Sequence, residues 1–210
     1  MTWVKVCGVT NEKDASVAIE AGADALGFVI APSSVRRIDL DRAAALMQSL
    51  PVLRILVTQD VDPASLIEAA KMTGADGVQP HGRRAAEAAA AGAAAGLFVL
   101  HPISVGPNGM EDGNEEAAPD FDRVPVGEVP LLDSAHPDLL GGTGETFDWS
   151  VIGTIDRRFV LAGGLGPDNV ADAVRIVKPW GVDASSRLER APGVKDPGKV
   201  ADFVARAKGI

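Results

Sequence analysis

The strongest constraint in this chain is an alternation of type: short β-branched or apolar runs are separated by longer stretches with helical signals. Eight such runs stand at fairly even spacing, at Trp3–Cys7, Asp24–Ile30, Val52–Val57, Gly77–Gln79, Leu97–Leu100, Val129–Asp133, Phe159–Leu161 and Gly181–Ala184. The segments between them carry helix punctuation. Asn11–Ala21 opens on a capping residue and stops at Gly22, Leu40–Leu50 follows Asp39 and stops at Pro51, and Pro63–Thr73 follows Asp62 and stops at Gly74. Pro167–Val177 opens on a proline suited to a first turn and stops before Pro179, and Asp196–Lys208 carries Pro197 at the same kind of position. The alanine-rich stretch Ala85–Ala91 reads as helix-forming surface. Parallel strands need a crossover of a dozen or more residues, usually a helix, so this alternation predicts parallel pairing with right-handed crossovers. Eight units in 210 residues predict an α/β fold, a single (β/α)8 barrel domain over 1–210. A doubly wound open sheet is the competing architecture, and spacing alone leaves it open.

The repeat weakens in one place. His101 to Gly127 is rich in Pro, Gly, Asn and acidic residues, which predicts a degraded or missing fifth helix. Ser134–Thr146, with Gly141-Gly142-Thr143-Gly144, is a second long connection.

Composition narrows the partners. A net charge of −9 argues against nucleic acid, whose phosphate backbone demands clustered Lys and Arg. No run approaches the ~18 apolar residues of a membrane span, and Met1-Thr2-Trp3 leads straight into strand-like sequence rather than a signal peptide. The single cysteine, Cys7, excludes an internal disulfide framework and fits a reducing cytoplasm. No long apolar surface stretch stands out, so a monomer is expected, with a dimer as the alternative.

In a parallel barrel, chemistry sits at the C-terminal ends of the strands and in the loops that follow. Those positions hold Cys7 after strand 1, Arg36 and Arg37 after strand 2, Gln79 and His81 after strand 4, and Asp133 after strand 6. Strand 7 is followed by Ala162-Gly163-Gly164, and strand 8 carries Asp183 with Ser185 and Ser186. The small residues after strands 7 and 8 let backbone N–H groups approach an anion, at the place where barrels commonly bind phosphate. The same Gly-Gly pair also serves simply to turn a chain. A lone strand cysteine is more often a small buried hydrophobe than a base. Asp133 can cap a turn, Arg36 can be a solvated loop cation, and His81 can be a turn residue. Strand alternation adds that residues 3, 5 and 7 share a face, so an inward Cys7 brings Lys5 inward too. Strand 8 neighbours strand 1 in a closed barrel, which predicts a buried Lys5–Asp183 pair beneath the site.

Taken together, these residues resemble the phosphoribosylanthranilate isomerase family of tryptophan biosynthesis, nearly end to end. The resemblance is carried by Val4-Lys5-Val6-Cys7-Gly8-Val9-Thr10, Glu20-Ala21-Gly22-Ala23-Asp24-Ala25-Leu26-Gly27-Phe28 and Val78-Gln79-Pro80-His81-Gly82. It continues through Leu131-Leu132-Asp133-Ser134, Gly141–Trp149, Leu161–Val170, Val182–Ser186 and Ala191–Pro197. It implies a cofactor-free, metal-free Amadori rearrangement, in which N-(5-phosphoribosyl)anthranilate opens its ring and becomes 1-(2-carboxyphenylamino)-1-deoxyribulose 5-phosphate. By that resemblance Asp133 is the general acid and Cys7 the general base. Arg36 takes the anthranilate carboxylate, and Gly163, Gly164, Ser185 and Ser186 take the phosphate. Gln79, His81, Asp183 and Arg187 are further candidate substrate contacts.

The chain also departs from the family's usual pattern. Arg187 stands where glycine is usual, Pro80 where leucine is usual, and Ala31 where an aromatic is usual. Thr58-Gln59-Asp60 and His101-Pro102-Ile103-Ser104 are atypical as well. The same residues leave two other functions open. A sister isomerase acting on another phosphoribosyl-amine would have an aspartate where Cys7 stands. A repurposed barrel would bind a phosphorylated ligand without turnover, as Arg187 and the altered loops suggest.

Overall fold

The computed structural model describes residues 1–106, 119–134, 149, 152 and 155–209. Eight parallel strands close into a barrel in sequence order: β1 (Trp3–Cys7), β2 (Ala25–Val29), β3 (Leu53–Gln59), β4 (Gly77–His81), β5 (Phe98–Val105), β6 (Val129–Ser134), β7 (Val160–Leu161) and β8 (Gly181–Ala184). Closure is made by β1 against β8, with Trp3 opposite Gly181 and Lys5 opposite Asp183. The open-sheet alternative is thereby set aside.

Helices α1 (Glu12–Glu20), α2 (Leu40–Met47), α3 (Pro63–Thr73), α4 (Ala85–Ala94), α5 (Val170–Val177) and α6 (Pro197–Lys208) pack outside the barrel. Four of them begin where the sequence supplies an acceptor for orphan first-turn N–H groups. The side chains of Asn11, Asp39, Asp62 and Asp196 each accept from backbone N–H groups two or three residues on. Helix α5 starts at Val170 rather than at Pro167. The intervening residues form a turn in which Asn169 accepts from the Gly166 N–H and donates to the Gly164 carbonyl. The expected loss of a fifth helix falls largely on 107–118, outside the described residues. Residues 119–128 are turns and bends, pinned by Arg157, which donates to the Phe121, Val124 and Glu128 carbonyls.

One element goes beyond the sequence reading. After β8 the chain makes a 3-10 turn at Ser186–Leu188 and then a two-stranded antiparallel hairpin, β9 (Glu189–Ala191) and β10 (Val194–Lys195), before α6.

The core has two layers. Barrel strands and helices share an outer layer that includes Val4, Val6, Leu26, Phe28, Leu56 and Phe203. A smaller inner layer of Ala25, Ile55, Leu100, Leu131 and Val160 fills the barrel, and Trp3 and Trp180 stack at its N-terminal end. These inner side chains make the barrel a packed plug, so a ligand can enter only at the opposite mouth.

Candidate active site

All eight strands run the same way, so their C-terminal ends ring one mouth. The cavity there encloses about 730 Å³ including its opening to solvent. Its wall takes Cys7 from β1, Arg36 from the loop after β2, Gln79 and His81 from β4, and Asp133 from β6. Gly163 and Gly164 follow β7, and Asp183, Ser185 and Ser186 complete the wall from β8 and its loop. Of the candidate mouth residues named from sequence, Arg37 and Arg187 are not on the cavity wall, and Lys5 lies beneath it.

Cys7 faces inward because the strand alternates. Gly27 lies opposite it on β2, where a Cβ would fall 2.7 Å from the Cys7 Sγ and 3.1 Å from the Lys5 Cε. Glycine there makes the room that the thiol and the lysine share. Lys5 is fully buried, and its Nζ lies 2.8 Å from the Asp183 Oδ2, the pair expected from strand alternation. Burial works against the Lys5 charge, but the carboxylate of Asp183 and negative charge on Cys7 outweigh it and raise the ammonium pKa. Burial pushes the Cys7 thiol up; Lys5 and Lys195 oppose that rise and Asp183 adds to it. Asp133 has its carboxyl raised to about 7, by burial first and by the negative Asp183 second, with Lys5 and the Ser134 N–H pulling the other way. A carboxylic acid that keeps its proton near neutrality is a donor in search of a basic atom.

His81 is held at about 4 by burial and by Lys5, so its ring is neutral. The Gln79 side-chain amide lies 2.9 Å from the His81 Nε2, so the two side chains are hydrogen-bonded to each other. Three buried polar atoms of wall residues lack a partner among the described residues: Thr58 Oγ1, Gln79 Oε1 and Asp183 Oδ1. Buried polar groups are normally paired, so three such atoms around one cavity point to a polar ligand.

The loops after β7 and β8 form the other side. Gly163 and Gly164 take consecutive left-handed conformations, with φ of 80° and 62°, and a Cβ on Gly163 would fall 2.5 Å from the Ser134 backbone nitrogen. Ser185 donates from its hydroxyl to the Cys7 carbonyl at 3.0 Å, joining this loop to the end of β1. Arg187 sits behind the loops. Its Nη1 donates to the Gly164 carbonyl at 2.9 Å and its Nη2 meets the Asp168 Oδ2 at 2.6 Å. Its backbone has no positive φ, so arginine fits where glycine is usual without left-handed strain. As a substrate contact Arg187 is therefore replaced by Arg187 as a clasp between two loops. Pro80 faces away from the cavity by alternation with Gln79 and His81, and His101 is paired outside it with Glu128 at 2.6 Å. Ala31 and Thr58 are the departures that do reach the wall.

Arg36 is clamped. Its Nε and Nη2 donate to the two carboxylate oxygens of Glu189 at 2.7 and 2.9 Å. Burial would raise the Glu189 pKa, but Arg36 and Lys195 more than compensate and lower it. The sequence does not single out Glu189 or Lys195, and it marks Thr58 only as a departure from the family's usual pattern. The signal for the first two was the Pro192-Gly193 turn between Glu189-Arg190-Ala191 and Val194-Lys195. Among the described residues no group of three or more His, Cys, Asp or Glu is placed to hold a metal ion. The cavity thus offers a protonated carboxyl and a thiol, between a guanidinium on one side and glycine and serine backbone on the other. That suits acid–base chemistry on a small ligand with two anionic ends.

Comparison with known proteins points the same way. Residues 4–206 match the family model for N-(5'phosphoribosyl)anthranilate (PRA) isomerase. The N-(5'-phosphoribosyl)anthranilate isomerase of Geotalea uraniireducens is 41% identical over 219 residues, covering 100% of both chains. The crystal structure of phosphoribosyl anthranilate isomerase from Thermotoga maritima superposes with a TM-score of 0.86 at 36% identity, covering 100% of both chains. A structure of such an isomerase in complex with reduced 1-(o-carboxyphenylamino)-1-deoxyribulose 5-phosphate superposes with a TM-score of 0.82 at 34% identity, again over 100% of both chains.

Proposed function

Because the chain belongs to the N-(5'-phosphoribosyl)anthranilate isomerase family, we propose that its cavity carries out that isomerisation with Asp133 as general acid and Cys7 as general base. The observation that carries this assignment is the pairing of a carboxyl raised to about 7 with an inward thiol on the wall of one cavity. The substrate's phosphate lies against the backbone of Gly163, Gly164, Ser185 and Ser186, and its carboxylate meets Arg36. This sets the ribose between Asp133 and Cys7.

Asp133 gives its proton to the furanose ring oxygen, the C1–O bond breaks, and the nitrogen lone pair forms the Schiff base. Cys7, as thiolate, then removes the proton from C2, and the electrons of that bond move to C1 and neutralise the iminium. The resulting enolamine tautomerises to the ketone. Acid and base must act on different atoms of one substrate, which is why one neutral donor and one anionic acceptor have to face the same space. Burial holds Cys7 as the thiol in the free protein, and Lys5 supplies the positive charge beside it that the thiolate needs. Reading the chain as a ligand-binding barrel without turnover loses its main support, since Arg187 leaves the cavity wall unobstructed.

Growth of a tryptophan auxotroph that lacks this isomerase tests the function. The wild-type chain should restore growth, and Cys7→Ser and Asp133→Asn should not. A well-expressed wild-type chain that fails to support growth contradicts it. We read the protein as a monomer: among the described residues the exposed large apolar side chains Met1, Val35, Met72, Val126 and Ile176 come from five separate segments of the chain.

A further inference from the structure

Behind Arg36 lies a buried charge cluster that the chemistry above does not use. The β9–β10 hairpin presents Glu189 and Lys195 inward, and their side chains are only 5% and 0% exposed. The Glu189 Oε1 is shared between the Arg36 Nε and the Lys195 Nζ, at 2.7 and 3.0 Å, while its Oε2 takes the Arg36 Nη2. Lys195 also donates to the Ser185 carbonyl at 3.1 Å, and its backbone N–H is fixed by the buried Asp14 carboxylate at 2.8 Å. Lys199 of α6 donates to the Glu189 carbonyl at 2.7 Å. The hairpin is thus anchored from both sides.

Arg36, 13% exposed at the cavity wall, is the member of this cluster that reaches the ligand space. A free arginine side chain samples many rotamers, whereas a two-point grip by one carboxylate fixes the plane of its guanidinium. Two of its five N–H groups are taken by that grip, which leaves others to receive a second carboxylate.

We propose that Glu189, braced by Lys195, is a positioning residue that sets the Arg36 guanidinium for the substrate's aryl carboxylate and so sets the preference for a carboxylate-bearing aryl amine. This rests on the reading of Arg36 given above. Glu189 acts through Arg36 and needs no contact with the reacting atoms.

The test compares two ligands by calorimetry: reduced 1-(o-carboxyphenylamino)-1-deoxyribulose 5-phosphate, and its counterpart made from aniline, which lacks the carboxylate. Wild type should prefer the first, and Arg36→Met should abolish the preference. Glu189→Gln should reduce it by about tenfold, while affinity for the aniline compound stays within about twofold. Lys195→Met should shift it the same way by less. If Glu189→Gln does not fold, Glu189→Asp, which keeps the charge but shortens the reach, must show the same selective loss. Glu189→Gln with an undiminished preference overturns the proposal, as does an equal loss for both ligands, the mark of a merely structural role. If wild type itself shows no preference and Arg36→Met changes nothing, the Arg36 reading fails instead, and the proposal with it.

Discussion

Replacing Asp133 with asparagine should stabilise the protein at alkaline pH while it lowers turnover by about 10²-fold or more. In an unfolded chain an aspartate titrates near ~3.9. In the folded protein this one titrates at about 7. Below the unfolded value both states hold the proton, and the group contributes nothing. As pH rises, the unfolded state releases its proton first, so folding stability falls until pH reaches the folded value and then stays level. A gap of about three units corresponds to about 4 kcal/mol, and the half-open position of Asp133 brings the expectation to about 2–4 kcal/mol. Asparagine removes the titration, and any constant packing difference cancels when two pH values are compared. Urea unfolding of both proteins at pH 4.5 and pH 8 measures it. The stability of Asp133→Asn relative to wild type should rise by about 2 kcal/mol or more between those values. A relative stability that is flat or falling with pH would refute the raised carboxyl and with it the proposed acid.

The other expectations concern the same mouth. The acid's pKa lies below that of the base, so the active form, protonated Asp133 with thiolate Cys7, is a minor species; kcat/KM should climb with pH to about 7 and then level off. A profile that already falls between pH 7 and 8 contradicts that order. Lys5→Met strands the buried Asp183 carboxylate and should lower stability by about 3 kcal/mol, with more than half regained in Lys5→Met/Asp183→Asn; thermal unfolding reads both. Gly163→Ala places a Cβ 2.5 Å from the Ser134 nitrogen at a left-handed backbone position. It should weaken binding of inorganic phosphate by about tenfold or more, measured as competitive inhibition, and unchanged inhibition would remove Gly163 from the phosphate site.

Much of this architecture is legible in the sequence. All eight strands fall where β-branched and apolar runs predict them, because parallel barrel strands are buried on both faces and leave continuous apolar signals. Four strands run past their expected ends, β3, β4 and β6 by one or two residues and β5 by five. Strands β4 and β5 continue through Pro80 and Pro102, and proline is tolerated there because the ladder between β4 and β5 ends at Val78 and Val99. Each proline keeps partners on its other side only, Thr58 for Pro80 and Leu131 for Pro102. The hairpin was hidden for a different reason. Its two strands have three and two residues, too short to show a period, and its buried members are a glutamate and a lysine. Charged residues are buried only when paired, and the partner, Arg36, lies 153 residues away. The places of Cys7 and Asp133 are legible because a strand's end is a local fact, and the Lys5–Asp183 pair follows from alternation once closure sets β8 beside β1. What Arg187 and Glu189 do depends on contacts between loops, which local sequence does not encode.

The most direct measurement is single-turnover isomerisation by Cys7→Ser and Asp133→Asn, set beside the affinity of each for reduced 1-(o-carboxyphenylamino)-1-deoxyribulose 5-phosphate. Acid and base acting on a bound ribose predict that each variant loses about 10²- to 10⁴-fold in rate while affinity stays within about threefold of wild type. A variant of either residue that keeps more than about a tenth of the wild-type rate would contradict the assignment of that residue.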